Sequence, residues 1–254
     1  MRIHPLLSLG CLFSFLTASA HAGAPFDREA YETYLGGLER RRTELAIRFH
    51  RARGAERRVV RAEARQVVTT AIRDHIFPAW LGTPWGLGVK STAIRPHEPG
   101  KVVGCSYFVT AVLLNAGLRL ESRGRFAVAP SELIQRALTP ARRDLHRIFR
   151  VDGPALRRRI AALGDGIYMV GLNIHTGFLV VNGAEVRVVH ASYTPPMQVV
   201  DEPLLESQVI DLSAQRGYVV TPLFQDDFLI DAWLTGKPVP APIWPTRRRG
   251  SGRT

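Results

Sequence analysis

The spacing of hydrophobic residues divides the chain into a helical half and a half rich in strands. From residue 27 to about residue 53, and again up to Pro78, apolar side chains recur every three or four positions, as on one face of a helix. Asp27 is a suitable N-cap for the first helix, and Gly54 separates it from the second. Pro78 should end the second helix, because proline disfavours helical backbone at the preceding residue. The same pattern predicts further helices over 106–116, 131–138, 154–163 and 226–234.

Beyond residue 166 the hydrophobic period falls to two, which is typical of half-buried strands. This pattern predicts strands over 167–172, 176–181, 185–190, 197–200 and 218–221. Pro222 should end the last of them, because proline cannot donate to a strand ladder. Helices followed by an antiparallel meander indicate an α+β fold.

The first 22 residues have the pattern of a secretory signal peptide. Arg2 precedes an apolar stretch over 6–16, and Ala18, Ala20 and Ala22 supply small residues at cleavage-site spacing. We therefore expect export, without lipidation, to the periplasm or the extracellular space. No second apolar run approaches the roughly 18 residues of a membrane span, so no transmembrane segment is predicted.

The remaining chain divides by composition into three parts. Residues 23–80 form an arginine-rich helical segment, 81–235 a mixed domain, and 236–254 a tail rich in proline and arginine that we expect to be disordered. The formal net charge is +12. A run of arginines is usually a solvated helical face, and it also favours attraction to an anionic surface. Nucleic acid is an improbable partner, because export separates the chain from it and no platform of basic and aromatic residues occurs.

Cys105 is the first candidate for chemistry. The sequence has two cysteines, which excludes a disulfide scaffold or a cysteine zinc site, and removal of the signal peptide leaves Cys105 alone. It lies where a glycine-containing segment meets a predicted helix. A helix N-terminus favours thiolate over thiol, and its free N–H groups can stabilise an oxyanion. The alternative is a small buried hydrophobic residue.

Two histidines are candidates for the base and its partner. Asn182 and Gly183 between alternating apolar runs predict a two-residue hairpin turn, in which paired residue numbers sum to 365. His175 would then lie opposite His190 on the same face, whereas a single bulge would separate them. Asn173 is an alternative orienting residue. A metal site is the competing interpretation, but HExxH is absent and the other histidines lie in unrelated segments.

Three blocks of sequence together resemble the NlpC-type cell-wall cysteine peptidases of the papain-like superfamily. Residues 82–88 (GTPWGLG) resemble the segment that approaches the family's active site, and 105–109 (CSYFV) resemble its nucleophile helix. The third block combines 164–166 (GDG), 175–178 (HTGF) and 189–192 (VHAS), which resemble the family's Gly-Asp and histidine motifs. The resemblance spans roughly residues 81–200 and implies a papain-like α+β domain, here with an additional N-terminal helical segment.

The resemblance also implies a mechanism and a substrate. Cys105 would be the nucleophile, His175 the base and His190 its orienting partner, with no metal or other cofactor. The substrates would be amide bonds of peptidoglycan stem peptides, and the +12 charge suits this or another anionic wall polymer. Trp85, Ser106 and Tyr107 are the expected substrate-binding residues.

The sequence departs from the family pattern at three positions. Gly104 replaces the aspartate before the nucleophile, Tyr107 replaces a glycine, and Trp85 replaces a tyrosine. Two other functions therefore stay open: an inactive wall-binding module on the same scaffold, and an acyltransferase or amidase that acts on another amide.

Overall fold

The computed structural model describes residues 26–141 and 144–244. The predicted signal peptide lies outside the described residues. Nine α-helices are present in the described chain: α1 (Arg28–Arg51), α2 (Gly54–Ala71), α3 (Phe77–Trp80), α4 (Cys105–Asn115), α5 (Arg123–Val128), α6 (Ser131–Leu138), α7 (Gly153–Ala161), α8 (Gln208–Ser213) and α9 (Asp227–Thr235). Within the same residues, six strands form one sheet: β1 (His146–Ile148), β2 (Gly166–Gly171), β3 (Thr176–Asn182), β4 (Glu185–Ala191), β5 (Val199–Pro203) and β6 (Tyr218–Leu223).

The N-terminal helices begin as predicted but continue past Pro78. Asp27 caps α1 by accepting a hydrogen bond from the N–H of Ala30 at 2.9 Å. A π-helical turn over Ile72–Ile76 joins α2 to α3, and Pro78 lies in the first turn of α3. α2 itself ends at Ala71, before Pro78 as predicted, but the π-helical turn carries helical backbone on through the proline to Trp80.

The sheet is antiparallel throughout, in the order β1-β6-β2-β3-β4-β5. The meander β2 to β5 was predicted, whereas β1 was not. The predicted end of the last strand at Pro222 is wrong, because Pro222 pairs with Tyr168 inside β6. β1 pairs with β6 only from Tyr218 to Val220, so the proline lies where one side of β6 has no partner in the described sheet.

Each face of the sheet packs against helices. The main core combines one face with α1–α6 and α9, and includes Phe49, Trp80, Phe108, Phe178 and Trp233. The second core joins the other face to α7 and α8 through Leu156, Ile160, Val209 and Ile210. The structure is thus α+β, and its N-terminal helices belong to the same core as α4.

Many arginines of α1 and α2 serve helix packing. Arg41 and Arg48 of α1 both form ion pairs with Glu63 of α2. The guanidinium of Arg57 lies 4.0 Å from the centre of the Phe49 ring, within cation–π range. Exposed ion pairs contribute little individually, so these contacts neutralise part of the positive charge and add little stability.

The first part of the predicted disordered tail is ordered. Val239 is buried and pairs with Leu120 in a parallel bridge, in which its N–H donates to the carbonyl of Arg119. The N–H of Ala241 donates to the carboxylate of Glu121 at 2.7 Å. The prediction of disorder is therefore wrong for 237–244, and residues 245–254 lie outside the described chain. Among the described helices, none has both the length and the apolar character needed to cross a membrane.

Candidate active site

Cys105 begins α4, as the sequence indicated. It is a free, half-buried cysteine, and the N-cap residue before it, Gly104, has no side chain to occupy the first N–H groups of the helix. Those N–H groups are available to a developing negative charge. The four residues Phe108, Val109, Val112 and Leu113 are fully buried and fix α4 in the main core.

The structure explains the glycine that precedes the cysteine. The N–H of Gly104 donates to Ser91 Oγ at 2.7 Å. A Cβ atom at position 104 would lie 3.0 Å from that oxygen, 3.1 Å from Leu87 Cδ2 and 3.2 Å from the carbonyl oxygen of Gly86. The family's aspartate would therefore not fit here without movement of the 86–91 segment.

The hairpin that carries the histidines has a different register from the predicted one. Asn182 pairs with Glu185, so paired numbers sum to 367 and the loop consists of Gly183 and Ala184. Gly183 has φ 58° and donates its N–H to Asp165 Oδ1 at 2.7 Å. A positive φ at the first central position alone suits a type II′ turn, whereas the type I′ turn that an Asn-Gly loop favours needs one at both positions.

This register places Gly177, not His175, beside His190. A Cβ atom at Gly177 would lie 2.7 Å from His190 Cβ, so the glycine leaves room for the His190 side chain. The shift is by two residues, which preserves the face of the sheet on which each side chain lies. His175, directly before β3, therefore still reaches the ring of His190.

The two imidazoles form a buried hydrogen-bonded pair. His175 Nε2 lies 2.9 Å from His190 Nδ1, and the rings meet edge to face. His190 Nε2 lies 3.0 Å from Glu202 Oε1. Burial, with a smaller contribution from His190, lowers the pKa of His175 to about 3, so its ring is neutral near pH 7.

Cys105 and His175 border the same cavity, of about 240 Å³. It lies where the loop after β2 meets the start of α4, and its walls also include Ser106, Ser131, Asn173 and Ile174. No hydrogen bond joins the thiol to His175 among the described side chains; contacts of this kind are often long until substrate binds. The cavity is open to solvent at Ile174, whose exposed fraction is 73%.

Of the other three predicted site residues, one borders the cavity and two do not. Ser106 borders the cavity, and its hydroxyl lies 3.4 Å from the carbonyl oxygen of Ala129. Trp85 and Tyr107 pack half-buried against the main core and are not among the described residues that border the cavity. Trp85 is connected to the site through Tyr193, whose ring centre lies 6.4 Å from that of Trp85 and 5.1 Å from that of His175.

Sequence reasoning missed Tyr193 and Glu202. Burial, and then the nearby Cys105, raise the pKa of Tyr193, which keeps its hydroxyl protonated beside the thiol. Glu202 lies on β5, two residues beyond Val200, which pairs with His190. Strand alternation puts Glu202 on the face of His190, but the predicted strand ended at residue 200 and so excluded it.

A larger cavity, of about 470 Å³, lies at the opposite end of the sheet. No cysteine or histidine is among the described residues around it, and its arginines are bound to carboxylates, as in the pair of Arg187 with Asp201. No cluster of three metal-ligating side chains occurs in residues 26–141 and 144–244. The chemically reactive groups of the described chain therefore converge at the smaller cavity.

This arrangement can support nucleophilic attack on a carbonyl, because a thiol, a neutral imidazole with an orienting partner and free helix N–H groups lie at one opening. No protein-family model, curated protein or solved structure matches the chain.

Proposed function

We propose that this protein is an exported cysteine amidohydrolase of NlpC type that cleaves amide bonds in peptidoglycan stem peptides. The observation that carries the proposal is that Cys105 and His175 border one cavity while His175 is hydrogen-bonded to His190. The resemblance of the three sequence blocks supports the wall peptide as substrate, and the +12 charge suits an anionic wall.

The reaction would proceed through an acyl-enzyme. His175 takes the thiol proton as Cys105 Sγ bonds to the amide carbonyl carbon, and the oxyanion accepts hydrogen bonds from the first N–H groups of α4. His175 then gives that proton to the leaving nitrogen as the C–N bond breaks. Water, deprotonated by the same ring, attacks the thioester and releases the acid and the thiol.

Substitution of the nucleophile tests the proposal. Cys105→Ala should abolish release of fragments from purified peptidoglycan, because no other described residue supplies a thiol. Val59→Ala, at an exposed position on α2, is the control and should retain full activity. Mass spectrometry of the released fragments would identify the cleaved bond. Undiminished hydrolysis by Cys105→Ala would refute the proposed function.

An acyltransferase or hydrolase with an apolar acyl substrate is the second candidate. It is favoured by Ile174, which borders the cavity and is 73% exposed. An acyl chain bound there would cover apolar surface that a polar wall peptide leaves in water. Faster turnover of a long-chain acyl ester than of wall peptides, with a loss of that preference in Ile174→Ser, would favour this candidate.

A further inference from the structure

The hydrogen-bonded chain behind His175 ends on an acidic residue. Glu202 Oε1 lies 3.0 Å from His190 Nε2, and His190 Nδ1 lies 2.9 Å from His175 Nε2. His190 is fully buried, and the Glu202 side chain is 29% exposed. The three side chains thus form a linear series from the edge of the sheet to the cavity.

The acid at the end of the series determines which nitrogens carry protons. Burial of Glu202 is the largest single effect and opposes its ionisation, but the hydrogen bond with His190 and the interactions with Ser207 and Arg187 together outweigh it, so the net effect lowers the pKa of Glu202. An ionised carboxylate can only accept hydrogen bonds, so Nε2 of His190 must donate. In a neutral His190, Nδ1 is then the acceptor, and Nε2 of His175 must donate to it.

We propose that Glu202 is a positioning residue that acts through His190: it fixes both imidazoles in the tautomer protonated at Nε2 and so leaves Nδ1 of His175 as the base. This inference rests on the proposed function, because it concerns the base of that reaction. It extends the predicted Cys105, His175 and His190 site by one residue.

Replacing Glu202 with the matched amide, Glu202→Gln, would remove this control over the tautomers of the two histidines. A glutamine at position 202 can accept or donate, so it permits His190 to be protonated at Nδ1, which in turn forces the proton of His175 onto Nδ1. In that tautomer His175 has no lone pair at Nδ1. Replacing a buried carboxylate behind a catalytic histidine with its amide has this effect in serine protease triads.

The charged groups around Glu202 are few among the described residues. His190 and Arg187 lie on β4, and Asp201 precedes Glu202 on β5. Arg187 is held by Asp201, with Nε 2.8 Å from Oδ1, and this pair stays intact in Glu202→Gln. The substitution therefore removes one negative charge and leaves the neighbouring ion pair in place.

The test is the rate at which iodoacetamide alkylates Cys105, followed from pH 5 to 9 by mass spectrometry of the Cys105 peptide. Glu202→Gln should lower the rate at neutral pH by about 10-fold to 100-fold, the range seen when the outer hydrogen-bond partner of a metal-ligating histidine is removed. Its pH profile should also shift to higher pH. Glu206→Gln, an exposed acid four residues further on, is the matched control and should behave as wild type.

A second substitution separates positioning from a structural role. If Glu202 acts through the His190 ring, Glu202→Gln should cause no additional loss in a His190→Asn background. An equal loss in both backgrounds, or a wild-type profile in Glu202→Gln, would overturn the inference. If either of these results is found while the wild-type protein still hydrolyses wall peptides, the inference about Glu202 fails and the proposed function stands. If the wild-type protein hydrolyses no wall peptide and its Cys105 thiol reacts slowly and unselectively, both the inference and the proposed function fail.

Nuclear magnetic resonance of the unaltered protein gives a test that does not depend on the variants folding. In protein labelled with ¹⁵N-histidine, His175 and His190 should both give the signature of the Nε2–H tautomer at neutral pH. A proton on Nδ1 of either ring would overturn the inference.

Discussion

At the scale of single residues, Gly177 sets the spacing of the histidine pair. A Cβ atom there would lie 2.7 Å from His190 Cβ and 2.9 Å from the carbonyl oxygen of Val189. Neither atom is the end of a flexible side chain, so β4 would have to move. Gly177→Ala should lower the free energy of unfolding by about 1–3 kcal/mol, as overpacking usually does. It should also lower hydrolysis by about 100-fold, because a displacement near 1 Å misaligns the base.

Urea unfolding and the hydrolysis assay would measure the two effects of Gly177→Ala. Gly124→Ala is the matched control, because Gly124 is exposed on α5 and a Cβ there would have no neighbour within 4 Å. The control should be neutral or slightly stabilising. Equal stability and activity in the two variants would contradict the assigned packing of Gly177 against His190.

The buried His175 predicts an acid-sensitive fold. Its pKa is lowered to about 3 by burial and by His190, whereas an unfolded histidine titrates near 6.5. Between these values the unfolded chain binds a proton that the folded chain does not, so stability is complete above about pH 6.5 and falls as the pH decreases toward 3. The slope from this one group is up to about 1.4 kcal/mol per pH unit.

The difference between matched variants isolates this contribution from that of other titrating groups. The free energy of unfolding of His175→Asn should depend less on pH between 4.5 and 6.5 than that of the wild type. His50→Asn, an exposed histidine on α1, should keep the wild-type slope. A slope in His175→Asn as steep as in the wild type would count against a neutral, buried His175.

At the scale of elements, the sequence predicted the histidine contact for reasons that proved only partly right. Alternation correctly placed β3 and β4, and the two-residue loop correctly made them a hairpin. The register was wrong because the turn is fixed partly by Asp165, which accepts the N–H of Gly183 from a different strand connection. Turn preferences deduced from the local sequence take no account of this contact with Asp165. The predicted contact between His175 and His190 is still present, because a register error of two residues leaves each side chain on the same face of the sheet.

Glu202 illustrates the opposite case. Asp201 and Glu202 break the apolar pattern of β5, so sequence periodicity ended the strand before the residue that completes the hydrogen-bonded series. Acidic residues are rare in strands and read as a loop. Only the pairing with β4 reveals that the second of them lies on the face of His190.

A bidentate ion pair joins two helices that are distant in sequence. Arg61 of α2 donates from Nε and Nη2 to the two oxygens of Asp231 on α9, at 2.7 and 2.6 Å. Arg61→Lys cannot form both bonds, and because both side chains are partly exposed the cost should be about 0.5–1 kcal/mol. Urea unfolding would measure it. Arg58→Lys, at an exposed position on α2, should be neutral; equal stability of the two variants would mean that the pair contributes nothing.

At the scale of the whole molecule, the division at residue 80 that composition indicated is not a boundary of packing. The ring of Phe77 lies 5.0 Å from that of Phe178 on β3, and Trp80 lies 5.7 Å from Phe108 on α4. α3 therefore supports both the helix that begins with Cys105 and the strand that follows His175. Amino-acid composition reflects the arginine-rich exposed faces of the N-terminal helices. It does not show that apolar residues far apart in the sequence pack together in one core.

A chain that begins at residue 81 should consequently fail to form a native core. Phe49, Phe77 and Trp80 are at most 3% exposed, and the loss of each large aromatic costs about 3–5 kcal/mol, which together reaches the 5–15 kcal/mol of a typical domain. We expect residues 81–244 to bind a hydrophobic dye and to unfold without a cooperative transition, whereas residues 26–244 should unfold cooperatively. If residues 81–244 unfolded cooperatively and Cys105 kept its wild-type alkylation rate, the helices before residue 81 would not be needed to form the site.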